Sequence, residues 1–419
     1  MRVCIFEDAV DTLEPLTLTR AAFELRCGMN TLLEKQLRAV RATSFGMWVR
    51  PVLAESLRER HPGTPINDVD WLTKAPTLFV NGRWLPAKGC CLPAQAPSVG
   101  MIGSEVAWAA VGETVLDFES ELPLRRWADE LRRTEADGTM IRYPWDLVDR
   151  NAGEIERDLA ETAPPTGVHP AGLHIVGPPD RVYIDPSAKI DPLVVIDATP
   201  GPVIIGRDAV VTAFTRVEGP CYIGPATQIM GAKIRGGCSF GPHCRIGGEV
   251  ETSIVHGYSN KYHEGFMGHS YVGEWVNLGA GTHNSDLRND YGEVEVTIAG
   301  RRVASGRNKV GCYLGDHTKT GLGTLLNTGT VAGVFCNILP AGRLAPKYLP
   351  SFTSWWNGCL RQGFPLPQLL ITAKQVMSRR GRTLSPALVR LYEAAWESTD
   401  RERCRVVREA EQKTLRRSA

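Results

Sequence analysis

Aliphatic residues recur at six-residue intervals through the middle of the chain. Ile184, Ile190 and Ile196 stand six apart, and after a break at TPGPV the spacing continues through Ile205, Val211, Val217, Ile223 and Ile229. A one-residue slip restarts the series at Ile234, Phe240 and Ile246, and it returns from Val272 to Leu278 and in Leu314, Thr320, Leu326, Ala332 and Ile338. Glycine directly follows Ile205, Ile223, Phe240, Ile246, Val272, Leu278, Leu314 and Thr320. This period fits neither a helix nor the two-residue alternation of a strand. It predicts very short strands with a turn after each hexapeptide, one aliphatic pointing inward and a small residue relieving the corner. Three such sides close one turn of a parallel β-helix, whose coils stack by backbone hydrogen bonds.

The flanks read differently. VCIF at 3–6 predicts a buried strand, TLTRAAFELR and NTLLEKQLRAV have helical spacing, and TLFVNGRWLP at 77–86 predicts a hairpin around Asn81-Gly82. Helices are expected over 121–133 and 154–161, with PPTGVHP at 164–170 as a linker. Beyond residue 345 the prolines suggest an extended crossover, then a helix in PQLLITAKQVMSRR and another capped by Ser385 with Pro386 in its first turn. The second carries an apolar face of Leu388, Val389, Tyr392 and Trp396, suited to packing on the solenoid end or a partner subunit, and the residues after 400 are strongly basic. Three domains are therefore expected: α/β over 1–165, β-helix over 166–345, and crossover plus helical tail over 346–419.

Composition narrows the function classes. A chain of 419 residues with a net charge of +2 has no global basic footprint for nucleic acid. Its 11 cysteines include no CxxC pair, a pattern suited to buried thiols in a reducing compartment. The N-terminus lacks the form of a signal peptide, and no apolar run approaches membrane-spanning length, so the expectation is a cytoplasmic protein with no membrane partner.

Two stretches, 251–269 and 283–309, interrupt the six-residue register and are far more polar than the repeats. Insertions in a solenoid are expected to emerge as binding loops on its side. Six of the nine histidines fall between 243 and 317, around these interruptions. In NKYHEGFMGHSYVGEWVNLGAGT (260–282), His269 stands immediately before the register resumes at Val272. A neutral imidazole is the natural proton acceptor for a nucleophile attacking a thioester, and the rim between loop and rigid wall fixes its direction. Lys261 could meet a phosphate, Tyr271 and Asn277 a sugar or donor, and Glu264 or Glu274 could orient the imidazole. Backbone amides of GAGT at 279–282 could face an oxyanion or pyrophosphate. A zinc site drawn from His256, His263, His269 and His283, supporting hydratase or hydrolase chemistry, is the competing use of the histidines. A non-catalytic scaffold, with loops contacting a partner, is the rival class.

SNKYHEGFMGHSYVGEWVNLGAGTHNSDLRNDYG (259–292) and GDHTKTGLGTLLNTGT (315–330) resemble the left-handed β-helix of the GlmU-like sugar nucleotidyltransferases. Those proteins are relatives of the bifunctional enzyme that acetylates glucosamine 1-phosphate and uridylylates N-acetylglucosamine 1-phosphate. FEDAVDTLEPLTLTRAAFELRCG (6–28) and YPWDLVDRNAGEI (143–155) resemble the N-terminal domain of the same group. The resemblance implies a homotrimer with acyltransferase sites between adjacent β-helices. It implies an acetyl-CoA or other acyl-CoA donor and a sugar phosphate acceptor, with UTP or dTTP and Mg²⁺ serving an active N-terminal domain. His269 in MGH matches the acetyl-transfer base, Tyr271 and Asn277 match residues around it, Lys261 matches more loosely, and Asn284 follows GAGT as a polar residue does in the pattern. The N-terminal half departs from the family: the glycine-rich GxGTR loop is missing and the PK position reads AA. Asp8, Arg20, Arg26 and Lys35 are then the candidates for metal, phosphate and sugar contacts. The function expected is acyl transfer to an amino sugar phosphate with nucleotidyl transfer in the N-terminal domain, or nucleotidyl transfer alone.

Overall fold

The computed structural model describes residues 1–90, 97–111, 122–162 and 169–418, with side chains through residue 412. The first five residues of the expected linker at 164–170 lie outside this set. The chain has an α/β region, then a parallel β-solenoid over residues 174–355, then a helical region. It divides into two compact units: residues 1–10, 19–25 and 30–142 form the first, and residues 11–18, 26–29 and 143–419 the second.

The first unit is built on a six-stranded sheet in the order Ser44–Trp48, Arg2–Phe6, Thr77–Asn81, Glu105–Val111, Ser98–Ile102, Arg132–Glu135. The predicted strand at VCIF is central, with Ser44–Trp48 and Thr77–Asn81 both parallel to it. Such a strand is covered on both faces, which explains its unbroken apolar run. Helices α1 (Leu32–Ala39), α2 (Pro51–Arg60), α3 (Val69–Thr73) and α4 (Leu124–Glu130) surround the sheet. α1 starts on a capping box in which the Thr31 and Glu34 side chains each accept from the other's backbone N–H. Two local expectations fail. TLTRAAFELR forms only a short 3-10 turn at Ala22–Glu24. The Asn81-Gly82 turn joins no hairpin, because Thr77–Asn81 pairs with Glu105–Val111 while Trp84–Pro86 pairs with Gly138–Met140. Asn81 is wholly buried, its Nδ2 donating to the Val106 carbonyl at 2.9 Å, so this Asn-Gly serves the interior.

In the second unit the inner stack of the solenoid consists of the predicted aliphatics. Ile184, Ile196, Ile205, Val211, Val217, Ile223, Ile229, Ile234, Phe240 and Ile246 are all at most 2% exposed. Their register is direct: Ile205 pairs with Ile223, and Ile223 with Phe240. The stretch 251–269 is not an excursion. Ile254–Gly257, Asn260–Lys261 and Phe266–Gly268 each pair in parallel with the coil below, and the aliphatic period is disguised because Lys261 takes the inner place above Ile246. The stretch 283–309 does leave the coil, as an antiparallel hairpin of Glu295–Ile298 and Arg301–Ala304, and the next rung returns at Cys312–Leu314 beside Tyr271–Glu274.

Helix α5 (Pro144–Thr162) packs on the solenoid through buried Asn151. Its Oδ1 accepts from Gly28 N at 2.7 Å and Ser239 Oγ at 3.0 Å, and its Nδ2 donates to the Gly237 carbonyl at 2.9 Å. One corner of the solenoid carries a column of rings, Tyr258, Trp275, His317, Phe335 and Phe352, each in the left-handed backbone region that a tight corner demands. The tail begins with α6 (Leu366–Ser378) and α7 (Pro386–Ser398), whose expected cap is present: Ser385 Oγ accepts from Leu388 N. α7 lays Tyr392 edge-on against His317 and Phe335, and α8 (Asp400–Ser418) ends the chain. Among the described residues no helix is long and apolar enough to cross a membrane.

Candidate active site

His269 occupies a corner of the solenoid with φ +48°, between the rungs Phe266–Gly268 and Tyr271–Glu274. Its backbone is held on both sides: its N–H donates to the Glu251 carbonyl at 3.2 Å and its carbonyl accepts from Gly311 N at 2.9 Å. The imidazole meets Asp286, with Nδ1 and Oδ2 2.7 Å apart. A carboxylate accepts only, so Nδ1 carries a proton, and Nε2 is the nitrogen that holds the lone pair in the neutral form of the ring. Side-chain exposures of 15% and 13% leave the pair sheltered yet reachable.

The preceding glycine makes this approach possible, since a Cβ on Gly268 would lie 2.5 Å from Asp286 Oδ2. Asn284 fixes the same peptide: Gly268 N donates to its Oδ1 at 3.0 Å, and its Nδ2 returns to the Gly268 carbonyl at 3.1 Å. Asn284 thus positions the His269 corner. Asp286 is the residue that sequence reasoning missed. It lies 17 residues after His269, about one coil of the solenoid, and that spacing is the signal by which it could have been found.

The other expected residues fall elsewhere. Lys261 is 4% exposed, and its Nζ donates to the His263 carbonyl at 2.8 Å. Burial pulls its pKa down to about 8, with Glu264 partly opposing the shift. Tyr271 is fully buried, its hydroxyl accepting from Arg26 N at 2.8 Å and lying 3.0 Å from His256 Nδ1. Asn277 accepts from Asn260 Nδ2 at 3.2 Å and lines a groove shared with His263. His283 Nδ1 accepts from Phe266 N at 3.0 Å.

The four histidines considered for zinc are not assembled within the chain. Among the described residues the one metal-like cluster is Glu251, His269 and Asp286, whose ligand atoms lie within 4.8 Å of one another. Cations already neutralise Glu251: Arg235 Nη1 lies 3.5 Å and Lys309 Nζ 3.4 Å from its carboxylate.

In the first unit, Asp8 follows the central strand and is bound by Arg83 Nη2 at 3.3 Å and Asn81 Nδ2 at 3.4 Å. Arg83 also holds Glu105 at 2.9 Å, and Arg50 holds Glu7 at 3.1 Å. Arg20 is 3% and Lys35 1% exposed. Arg26 belongs to the second unit, where its guanidinium lies 5.8 Å above the Tyr222 ring. Among the described residues of the first unit, these acidic groups are engaged by guanidinium ions and do not fit a Mg²⁺ ion.

Residues 3–163 match the family model described as sugar nucleotidyl transferase. Over 92 residues the chain is 38% identical to a bifunctional sugar-1-phosphate nucleotidylyltransferase/acetyltransferase of Sulfurisphaera tokodaii, covering 22% of this chain and 23% of that one. It is 33% identical over 169 residues to the bifunctional protein GlmU of Methanocaldococcus jannaschii, covering 38% of each. The chain thus spans between about a quarter and two fifths of the length of these relatives. Among solved structures, the match to the Francisella novicida UDP-N-acetylglucosamine acyltransferase covers 50% of this chain and 74% of that one, at 13% identity and a TM-score of 0.29. The GlmU-like resemblance read from the sequence has its counterpart in these matches: parts of the chain are similar to bifunctional GlmU-type proteins, and residues 3–163 are similar to the sugar nucleotidyl transferase family.

Proposed function

We propose that this protein is a transferase of nucleotide-sugar metabolism whose solenoid moves an acyl group from a CoA thioester to the amine of an amino sugar phosphate. The observation that carries the reading is the His269–Asp286 pair, a base joined to its orienting carboxylate on a rigid corner. The acceptor nitrogen attacks the thioester carbonyl carbon while His269 Nε2 takes the proton that this nitrogen loses. The tetrahedral intermediate then collapses with cleavage of the C–S bond, and the proton passes to the departing CoA sulfur. Asp286 stabilises the imidazolium formed in between. Asn284 holds the peptide before His269, and Asn277 offers a polar side chain to an acceptor or donor from the groove that it lines. Contacts of Lys261 or Tyr271 with a substrate require exchange of the bonds they now make. The relatives' names, acetyltransferase and nucleotidylyltransferase, support the class of chemistry.

Binding of a nucleotide or sugar phosphate by the N-terminal segment, with Asp8 released from Arg83 and Arg20 brought out of its buried position, belongs to the same proposal, as does assembly into a homotrimer. His269→Ala is expected to abolish thiol release from acyl-CoA in the presence of an amino sugar phosphate while leaving the oligomer and its melting temperature unchanged; unaltered turnover overturns the assignment. A divalent cation at the Glu251–His269–Asp286 corner is the second reading, and it requires Arg235 and Lys309 to release Glu251. Dialysis against EDTA separates the two, since the base reading expects acyl transfer to survive it.

A further inference from the structure

A groove of about 600 Å³ lies between one side of the solenoid and the end of α6. Its cations are Arg245 and Lys319 from the solenoid and Arg379 and Arg380 from the residues closing the helix, and among the described residues no carboxylate lines it. Arg380 Nη2 donates to Asn260 Oδ1 at 2.8 Å. Arg245 Nε is buried and has no hydrogen-bond partner among the described residues. Burial, with the neighbouring Arg245 and Arg379, lowers the pKa of Arg380, so the groove holds like charges at an electrostatic cost that an anion would relieve. Of the rings lining it, Tyr258 and Trp275 are stacked on each other at 4.5 Å, while Tyr262 is 37% exposed. An unpaired buried donor, converging cations and the exposed rings of Tyr262 and His263, in edge contact at 4.9 Å, suit a ligand that joins adjacent phosphates to a planar base. The volume lies in the usual range for small-molecule sites, about 300–1,000 Å³.

We propose that this groove binds a nucleoside diphosphate group. The tail helix α6 is then a wall of a binding site, in addition to packing against the rest of its unit. The phosphates meet Arg245, Arg379 and Arg380, and the base lies on Tyr262. Two sources share this chemistry, the nucleotide half of CoA and a nucleotide-sugar. The assignment rests on the groove alone and stands apart from the role given to His269.

Titration calorimetry on the full chain tests it with CoA, UDP, dTDP and inorganic pyrophosphate. At least one nucleotide is expected to bind, and Arg245→Met combined with Arg379→Gln is expected to weaken it at least tenfold without lowering the melting temperature. Tyr262→Ala is expected to weaken nucleotide binding and leave pyrophosphate unaffected. His269→Ala is expected to bind as the parent does, so failure of the acyl-transfer reading would not mimic failure of this one. Binding of CoA alone identifies the donor nucleotide, and binding of UDP or dTDP alone identifies a nucleotide-sugar; either supports the proposal. It is overturned if no nucleotide binds, if the double variant binds as well as the parent, or if pyrophosphate matches every nucleotide.

Discussion

An imidazole whose Nδ1 proton is engaged by a carboxylate has one nitrogen left for chemistry and a fixed direction in which to use it. At His269 that arrangement depends on three neighbours: Asp286 sets the tautomer, Asn284 holds the preceding peptide, and Gly268 leaves room for the carboxylate. Asp286→Asn keeps the shape and removes the charge that stabilises the imidazolium. It is expected to lower kcat by about 10²-fold or more while leaving KM within a few-fold, measured by thiol release. His269 stood out in the sequence because it sits in a recognisable MGH at the point where the register resumes. Its partner did not, because the hydrogen bond joins neighbouring coils and has no local signature. Gly311 tests the same corner from the other side. A Cβ there would lie 1.8 Å from the Gly268 carbonyl oxygen and 2.3 Å from Ser270 Oγ, so Gly311→Ala must push two backbones apart. A loss of roughly 1–3 kcal/mol in denaturant unfolding is expected, accompanied by lower turnover.

At the scale of the element, one coil is unusual because its inner position holds a lysine. Burial keeps Lys261 at about 8 against an ordinary 10.5, so below pH 8 both folded and unfolded states carry the proton and the full cost of burial is present. Between pH 8 and 10.5 the folded state has released a proton that the unfolded state retains, and stability rises with pH. Lys261→Met is expected to raise stability at pH 7 by about 1–3 kcal/mol and to reduce that alkaline rise, measured by urea unfolding across pH. Part of the rise should persist, since burial also lowers Lys319 to about 8. The same substitution explains why 251–269 read as an interruption: periodicity follows hydrophobicity, and a buried ammonium breaks the pattern without breaking the coil. The misread Asn81-Gly82 turn has a parallel cause, since Trp84–Pro86 takes its partner from Gly138–Met140, far along the chain.

For the whole molecule, the solenoid was legible wherever a coil repeats an inward aliphatic at a fixed interval, and it was lost at the coil where Lys261 takes that place. The first unit was less legible, since its pairings join distant segments and only the central strand announces itself. Ligand linkage gives a test at this scale. An acyl-CoA at about 100 times its Kd is expected to stabilise the folded chain by about 2.7 kcal/mol, and His269→Ala should retain that shift while losing turnover.

The hairpin at 295–304 also sets an order of events during synthesis. Partners on adjacent coils are usually about 17 residues apart, but Ser270 meets Cys312 across 42. The longer closure costs only about 0.8 kcal/mol more in chain entropy, so it weighs little at equilibrium. Its effect is temporal. The Asp286 carbonyl accepts from Val310 N and the His269 carbonyl from Gly311 N, and both donors reach the corner only after the excursion has returned. A ribosome halted within the hairpin therefore holds a chain in which the His269 corner still lacks both of these bonds.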